Sequence, residues 1–71
     1  MNNIDTLGDA LPREIKRVRE EIIPVYQTCG NSGHLAIALM NHDLSKAEIA
    51  LASGDIVKMI EAYNSLKEYK L

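Results

Sequence analysis

Cys29 is the only cysteine in this chain of 71 residues, so no disulfide can form within one copy. Small domains usually need a disulfide, a structural metal or a partner subunit in addition to their core. Size scaling gives an accessible surface of about 11,500 Å² unfolded and about 4,400 Å² folded. Burial then stabilises the fold by on the order of 105 kcal/mol, and ordering the chain costs about as much. We therefore expect an isolated copy to be only marginally stable.

A structural metal is an unfavourable alternative because the chain has too few ligands for one. The soft ligands are Cys29, His34 and His42, whereas a structural zinc site takes about four. The two histidines are eight residues apart, although a helical pair that shares one ion is spaced by about three or four residues. We expect no metal and no other cofactor. Self-association remains as the additional source of stability, and the commonest closed assembly is a symmetric dimer.

Compartment and general binding class follow from the same composition. A chain with a single cysteine is typical of a reducing compartment, and we expect a cytoplasmic protein. No stretch approaches the roughly 18 apolar residues of a membrane span. The N-terminal sequence MNNIDTLGD lacks the apolar core of a secretory signal. The formal net charge of −2 argues against nucleic-acid or membrane binding by the surface as a whole.

Apolar periodicity predicts an all-α protein with three helices. We expect helices at about 11–29, 33–53 and 55–69, in a small bundle or an open array. The chain would form a single domain over residues 1–71, with residues 1–8 as a loose arm. The predicted buried stripes are Leu11, Ile15, Val18, Ile22, Val25 and Cys29 in the first helix; Ile37, Met40, Leu44, Ala47 and Leu51 in the second; and Ile56, Met59, Ile60, Tyr63 and Leu66 in the third.

Prolines and glycines refine the helix boundaries. Pro12 suits a first helical turn, whereas Pro24 interrupts an apolar stripe that continues past it, which predicts a kink. Gly54 followed by Asp55 is a helix stop followed by a helix cap. A second capping pattern begins at Ser45, but the apolar stripe runs through it. We therefore expect one continuous second helix.

The second helix has more apolar surface than one neighbouring helix can cover. Leu35, Leu39 and Ile49 lie outside its main stripe and are candidates for an interface with another copy. Asp43 lies inside the wide apolar arc, so it must be open to water, paired with Arg17 or Arg19, or used to fix the register between subunits. Tyr69 points away from the third stripe and is a further interface candidate.

Half of the basic residues lie within seven positions of the first helix: Arg13, Lys16, Arg17 and Arg19. Such a cluster can contact phosphates, which makes a small nucleic-acid-associated regulator the alternative function. Interleaved Glu14, Glu20 and Glu21 neutralise the cluster, with Arg17 and Glu21 one helical turn apart. This pattern is more typical of a solvated, salt-bridged face.

The sequence supplies no nucleophile, base and anion hole together, so no candidate active site is evident. Cys29 ends the first apolar stripe, which predicts a buried small side chain. Its position at a helix C-terminus also disfavours the thiolate. We expect a protein that is not an enzyme.

Two resemblances add to this interpretation. The segment AEIALASGDIVKMIEAYNSL at residues 47–66 resembles the helical hairpin of tetratricopeptide repeats, which implies two antiparallel helices joined at a Gly-Asp turn. The phrases REIKRVREEIIPVY and GDIVKMIEAYNSLKEY are similar to small uncharacterised helical proteins of bacteria and their prophages. Neither resemblance implies an activity. The expected function is therefore a non-enzymatic, self-associating helical module that works through protein contacts.

Overall fold

The computed structural model describes residues 6–71, apart from the side chains of residues 31 and 32. The elements are α1 (Leu7–Arg17), a π turn (Val18–Ile22), α2 (Ile23–Gln27), a 3₁₀ turn (Gly30–Gly33), α3 (His34–Ser53) and α4 (Ile56–Lys67). α1, the π turn and α2 follow one another without a gap and make the first of three helical segments. No strand occurs within residues 6–71. The predicted all-α class with three helices is confirmed.

α1 begins at Leu7, four residues before the expected start. Two backbone amides of its first turn donate to the Thr6 carbonyl at 3.0 and 2.8 Å. Pro12 therefore lies inside the helix instead of in its first turn. Because proline has no N–H, the Gly8 carbonyl lacks its usual backbone donor. Of the predicted N-terminal arm, residues 1–5 lie outside the described residues, and Leu7 and Gly8 are helical.

The interruption at Pro24 takes the form of the π turn directly before it. The Ile23 amide donates to the Val18 carbonyl, five residues back instead of four. Proline has no N–H, so the backbone ladder must change at this point in any case. A π turn also inserts one extra residue into the helix, which moves the next residues by one position around the axis.

This insertion changes which residues enter the core. Ile23 is 8% exposed and belongs to the core, whereas Val25 is 44% exposed and Cys29 is also exposed. The predicted burial of Val25 and Cys29 is therefore wrong. The i, i+3, i+4 pattern predicts the buried residues correctly as far as Ile22. Beyond Ile22 it selects the wrong residues, because the pattern assumes a regular α-helix.

The connection to α3 depends on a close approach of two backbone segments. Gly30 has a φ of 65°, a left-handed conformation that turns the chain after α2. Gly33 has an ordinary right-handed conformation, but a Cβ there would clash with the backbone carbonyl oxygen of Tyr26. Only a residue without a side chain permits the end of α2 to lie so close to the start of α3.

α3 and α4 form an antiparallel hairpin whose turn was predictable in detail. α3 runs unbroken from His34 to Ser53. Gly54 has a φ of 70°, and its amide donates to the Ala50 carbonyl at 2.9 Å. The Asp55 carboxylate then accepts from the Lys58 amide at 3.2 Å and caps α4. The predicted stop and cap at these positions are confirmed.

All three helical segments contribute buried side chains to one core. These are Leu11, Ile15, Val18, Ile22 and Ile23 from the first segment, Met40, Leu44, Ala47 and Ala50 from α3, and Met59, Ala62 and Leu66 from α4. Ile56 and Ile60 were expected in the core and are exposed, whereas Ala62 is buried. α4 is thus rotated so that an alanine faces α3. Small residues allow two helices to approach closely, and the bulkier isoleucines are left outside.

The Arg17 side chain links the C-terminal end of α1 to the C-terminal end of α4. Its Nη2 donates to the Leu66 carbonyl oxygen at 3.0 Å and also pairs with the Glu14 carboxylate at 3.0 Å. The Leu66 carbonyl belongs to the last turn of α4, where it also accepts from the Tyr69 amide at 3.1 Å. A charged donor is well suited to this position at a helix C-terminus.

The helices lie in two layers. The principal extents are 44 × 26 × 15 Å, and the shortest fits two helix layers packed about 10 Å apart. The radius of gyration is 12.9 Å, compared with about 11 Å for a compact domain of this length. The first segment forms one layer and the α3–α4 hairpin the other. The outer face of the hairpin is therefore not covered by residues 6–71.

The phase shift at the π turn predicts unequal costs for two truncations. Ile23→Ala should destabilise the fold by about 2–4 kcal/mol, because it empties a buried site. Val25→Ala should cost less than about 1 kcal/mol, because its side chain is already largely hydrated. Urea unfolding of both variants measures the difference. Equal losses, or a larger loss for Val25→Ala, would contradict the shifted phase.

The close approach at Gly33 gives a second prediction. Gly33→Ala should destabilise the protein by at least about 2 kcal/mol, because the new methyl group meets a backbone carbonyl that cannot move aside cheaply. Gly8→Ala is the matched control, since its methyl group would meet only the Thr6 hydroxyl at 3.8 Å. The control should leave the free energy of unfolding unchanged or raise it by up to about 1 kcal/mol. Thermal unfolding of the pair tests this, and similar melting temperatures would contradict it.

Candidate interaction surface

The outer face of α3 carries exposed apolar side chains in a regular pattern. Leu35 is 73% exposed, Leu39 is 52% exposed and Ile49 is 65% exposed. Positions 35, 39, 42, 46, 49 and 53 repeat at intervals of four and three, so they lie along one face of the helix. We call this set the outer stripe: Leu35, Leu39, His42, Lys46, Ile49 and Ser53.

Single exposed leucines are common on protein surfaces, but an aligned set on one helix is not. An apolar stripe on a helix normally faces a packing partner. The main stripe of α3 already packs against the first segment and α4, so the outer stripe is additional apolar surface. α4 has a separate exposed group on its other side, formed by Ile56, Val57 and Ile60.

An open groove of about 260 Å³ lies beside the outer stripe, between α3 and α4. Its floor includes the buried alanines Ala50 and Ala62. The charged side chains around the groove carry both signs. A serine follows each alanine by three residues, which is about one helical turn. The lining residues are Asp43, Lys46, Ile49, Ala50, Ser53, Asp55, Lys58, Glu61, Ala62 and Ser65. The groove thus combines a shallow apolar floor with a polar rim.

Asp43 and Tyr69 bind each other at one end of this groove. The Tyr69 hydroxyl donates to Oδ2 of Asp43 at 2.6 Å, and both residues are half-buried. Partial burial raises the pKa of Tyr69 to about 12, and the hydrogen bond to Asp43 and its negative charge act in the same direction. The segment after α4 is thereby attached to α3, and the partner of Asp43 is this tyrosine and not Arg17 or Arg19.

The basic cluster of the first segment is partly engaged within the chain. Arg17 binds Glu14 and the Leu66 carbonyl. We expected an ion pair with Glu21 in the following turn, but the carboxylate that binds Arg17 belongs to the preceding turn. Arg19 pairs with Glu48 of α3 at 2.9 Å, where both side chains are half-exposed. Arg13 and Lys16 are at the surface. A phosphate ligand would therefore have to compete with a carboxylate for Arg17 and with another for Arg19.

The remaining reactive side chains are dispersed. Cys29 is exposed at the end of α2, with its thiol 3.7 Å from the Val25 carbonyl oxygen. His34 and His42 are exposed on α3, two helical turns apart. Within residues 6–71 no three His, Cys, Asp or Glu side chains are grouped so that they could hold a metal ion. No helix in the same range has the length and apolar character needed to cross a membrane.

Comparison with known proteins leaves the surface itself as the basis for inferring function. No protein family matches this sequence, and neither a curated protein nor a solved structure does so. The predicted resemblances to tetratricopeptide hairpins and to prophage proteins stay predictions.

Sequence reasoning named Leu35, Leu39, Asp43, Ile49 and Tyr69 separately, but it did not identify the groove. Ile49 and Asp43 line that groove, Leu35 and Leu39 continue the same face of α3, and Tyr69 is bound to Asp43. The usable signal was a pair of small residues at an interval of three on each helix, at positions 50 and 53 and at positions 62 and 65. Sequence alone could not show that these two pairs face the same side of the hairpin.

The Tyr69–Asp43 bond predicts a specific pH dependence of stability. Tyr69→Phe should lower the free energy of unfolding by about 1.5–3 kcal/mol at neutral pH, the range for a hydrogen bond to a charged group. The raised pKa means that the folded protein holds this proton more tightly than the unfolded chain does. The contribution is therefore complete below about pH 10 and disappears as the pH rises through about 12.

Urea unfolding of wild type and Tyr69→Phe at several pH values measures this contribution. The difference in stability should be constant up to about pH 9 and should shrink between about pH 10 and 12. Tyr26→Phe is the control for removing a tyrosine hydroxyl elsewhere. A difference between wild type and Tyr69→Phe that does not change up to pH 12 would contradict the assignment.

Proposed function

We propose that the protein is a non-enzymatic helical module that self-associates as a dimer through the outer stripe of α3. The observation that carries this proposal is the exposure of Leu35, Leu39 and Ile49 on one face of one helix. Burying each of these side chains contributes on the order of 1–2 kcal/mol. For a small chain whose folding terms nearly cancel, such a contribution decides which state is populated.

The charge distribution around the outer stripe supports a second copy of the chain as the partner. Around the stripe and its groove, Lys46 and Lys58 lie among the acidic residues Asp43, Asp55 and Glu61, so both signs are present. In a two-fold interface the same patch meets itself, which favours patches that carry both charges. A strongly basic or strongly acidic patch would repel its own copy and would favour a different partner.

The available area is also of the right size. α3 has 20 residues and α4 has 12, which correspond to lengths of about 30 Å and about 18 Å. Two adjacent helices present a face about 20 Å wide. Two such faces in contact would bury on the order of 1,000 Å², which is near the lower limit for a specific protein interface. A reversible dimer with micromolar affinity fits this size.

The alternative function, a nucleic-acid-associated regulator that uses Arg13, Lys16, Arg17 and Arg19, has weaker support. Arg17 and Arg19 are each bound to a carboxylate of the same chain. We further propose a cytoplasmic location, since the exposed free thiol of Cys29 is preserved in a reducing compartment.

Light scattering coupled to size-exclusion chromatography tests the proposal. Wild type should be a dimer at concentrations near 100 μM, and the double variant Leu35→Ser with Leu39→Ser should be a monomer, because it removes the exposed apolar contacts. The matched control is Val57→Ser with Ile60→Ser, which removes exposed apolar side chains from the other side of α4 and should leave the dimer intact.

Two results would overturn the proposal. One is a strictly monomeric wild type that unfolds cooperatively above about 60 °C, because such a chain needs no partner. The other is a dimer that the α4 control dissociates and the α3 variant does not. A shift of nucleic acid in a gel that weakens with salt would instead support the basic cluster as the functional site.

A further inference from the structure

We propose that the two copies pair antiparallel about a two-fold axis, with Leu35 and Leu39 of each copy seated in the α3–α4 groove of the other. This inference rests on the proposed self-association and adds the receiving site and the orientation. The ligand of the groove is accordingly the N-terminal half of a second α3.

The positions of the leucines and the groove along α3 favour antiparallel pairing. The exposed leucines lie in its N-terminal half, and the groove lies beside its C-terminal half, on the same face. Leu39 and Ile49 are each five residues from Leu44, and Leu35 and Ser53 are each nine residues from it. A two-fold axis at the level of Leu44 therefore places the leucines of one copy over the groove of the other. The same axis makes both contacts at once.

Leucine side chains also fit the groove in size and polarity. A cavity of about 150 Å³ is enough to hold benzene, which has more carbon atoms than a leucine side chain. The groove volume of about 260 Å³ can therefore accept two leucine side chains. Because its floor is made of Ala50 and Ala62, an entering side chain meets apolar atoms at the bottom and polar groups only at the rim.

The poles of α3 also favour the antiparallel arrangement. The first turn of α3 contains no acidic residue and begins at His34, so this end presents the positive pole of the helix. The antiparallel arrangement brings that end beside the negative, C-terminal pole of the partner's α3, at a groove rim that carries both Asp55 and Lys58. A parallel arrangement would place the positive ends of two helices together and would leave both grooves without an apolar side chain.

Blocking the groove from α4 tests the geometry without touching the outer stripe. Ser65→Trp places a large side chain at the groove wall on α4, and we expect the dissociation constant of the dimer to rise at least about tenfold. Asn64→Trp adds the same side chain at the neighbouring exposed position outside the lining. This control should change the dissociation constant less than about twofold. Sedimentation equilibrium measures both values.

The outcomes separate the two proposals. A monomeric wild type would overturn both the self-association and its geometry. Dissociation by Leu35→Ser with Leu39→Ser, together with an undisturbed Ser65→Trp dimer, would leave self-association standing and would overturn the seating in the groove. Loss of the dimer in Ser65→Trp but not in Asn64→Trp would support the seating.

Cysteine cross-linking gives a second measurement that needs no loss of binding. In a Cys29→Ser background, one chain carries Leu35→Cys and another carries Ser53→Cys. On mild oxidation, the mixture should form a disulfide between the two different chains. Two Leu35 positions would be about 27 Å apart in the antiparallel dimer, far beyond disulfide reach. Efficient cross-linking of the Leu35→Cys chain alone would show a parallel pair and would overturn the inference.

Discussion

The close packing of α3 against α4 through alanine determines most of the remaining structure. Ala47 and Ala50 of α3 and Ala62 of α4 are all buried in the core. Small side chains at a helix crossing let the two axes approach, and this fixes the rotation of each helix about its own axis. As a result, Ile49 of α3 and Ile60 of α4 are on the outside of the hairpin. Ala50 and Ala62 also form the floor of the groove, because there are no larger side chains at these positions to fill it.

The first segment and the C-terminal residues also hold this hairpin in place. Arg17 binds a carbonyl at the end of α4, and Tyr69 binds Asp43 of α3. Both bonds join residues that are far apart in sequence, so they act where a disulfide would act in a cysteine-rich chain. Each contributes about 1.5–3 kcal/mol, compared with about 2–4 kcal/mol for a typical disulfide. The uncovered outer stripe is consistent with a chain that gains its remaining stability from another copy.

Local signals in the sequence predicted the features that depend on local backbone chemistry. The Gly54–Asp55 turn, the unbroken α3 and the absence of strands from residues 6–71 all follow from capping residues and apolar periodicity. The errors have two physical causes. The π turn before Pro24 shifted the helical phase, which exposed Val25 and Cys29. Alanine packing rotated α4 and exposed its isoleucines, because a stripe of larger side chains is not always the one that enters the core.

The central claim is that the outer stripe of α3 is an interface between two copies of the chain. Sedimentation equilibrium of the wild-type protein over a range of concentrations tests it most directly. The account predicts a mass that rises with concentration from the single-chain value of 7.9 kDa to twice that value. A mass that stays at 7.9 kDa up to near-millimolar concentration, in a protein that is fully folded, would contradict it.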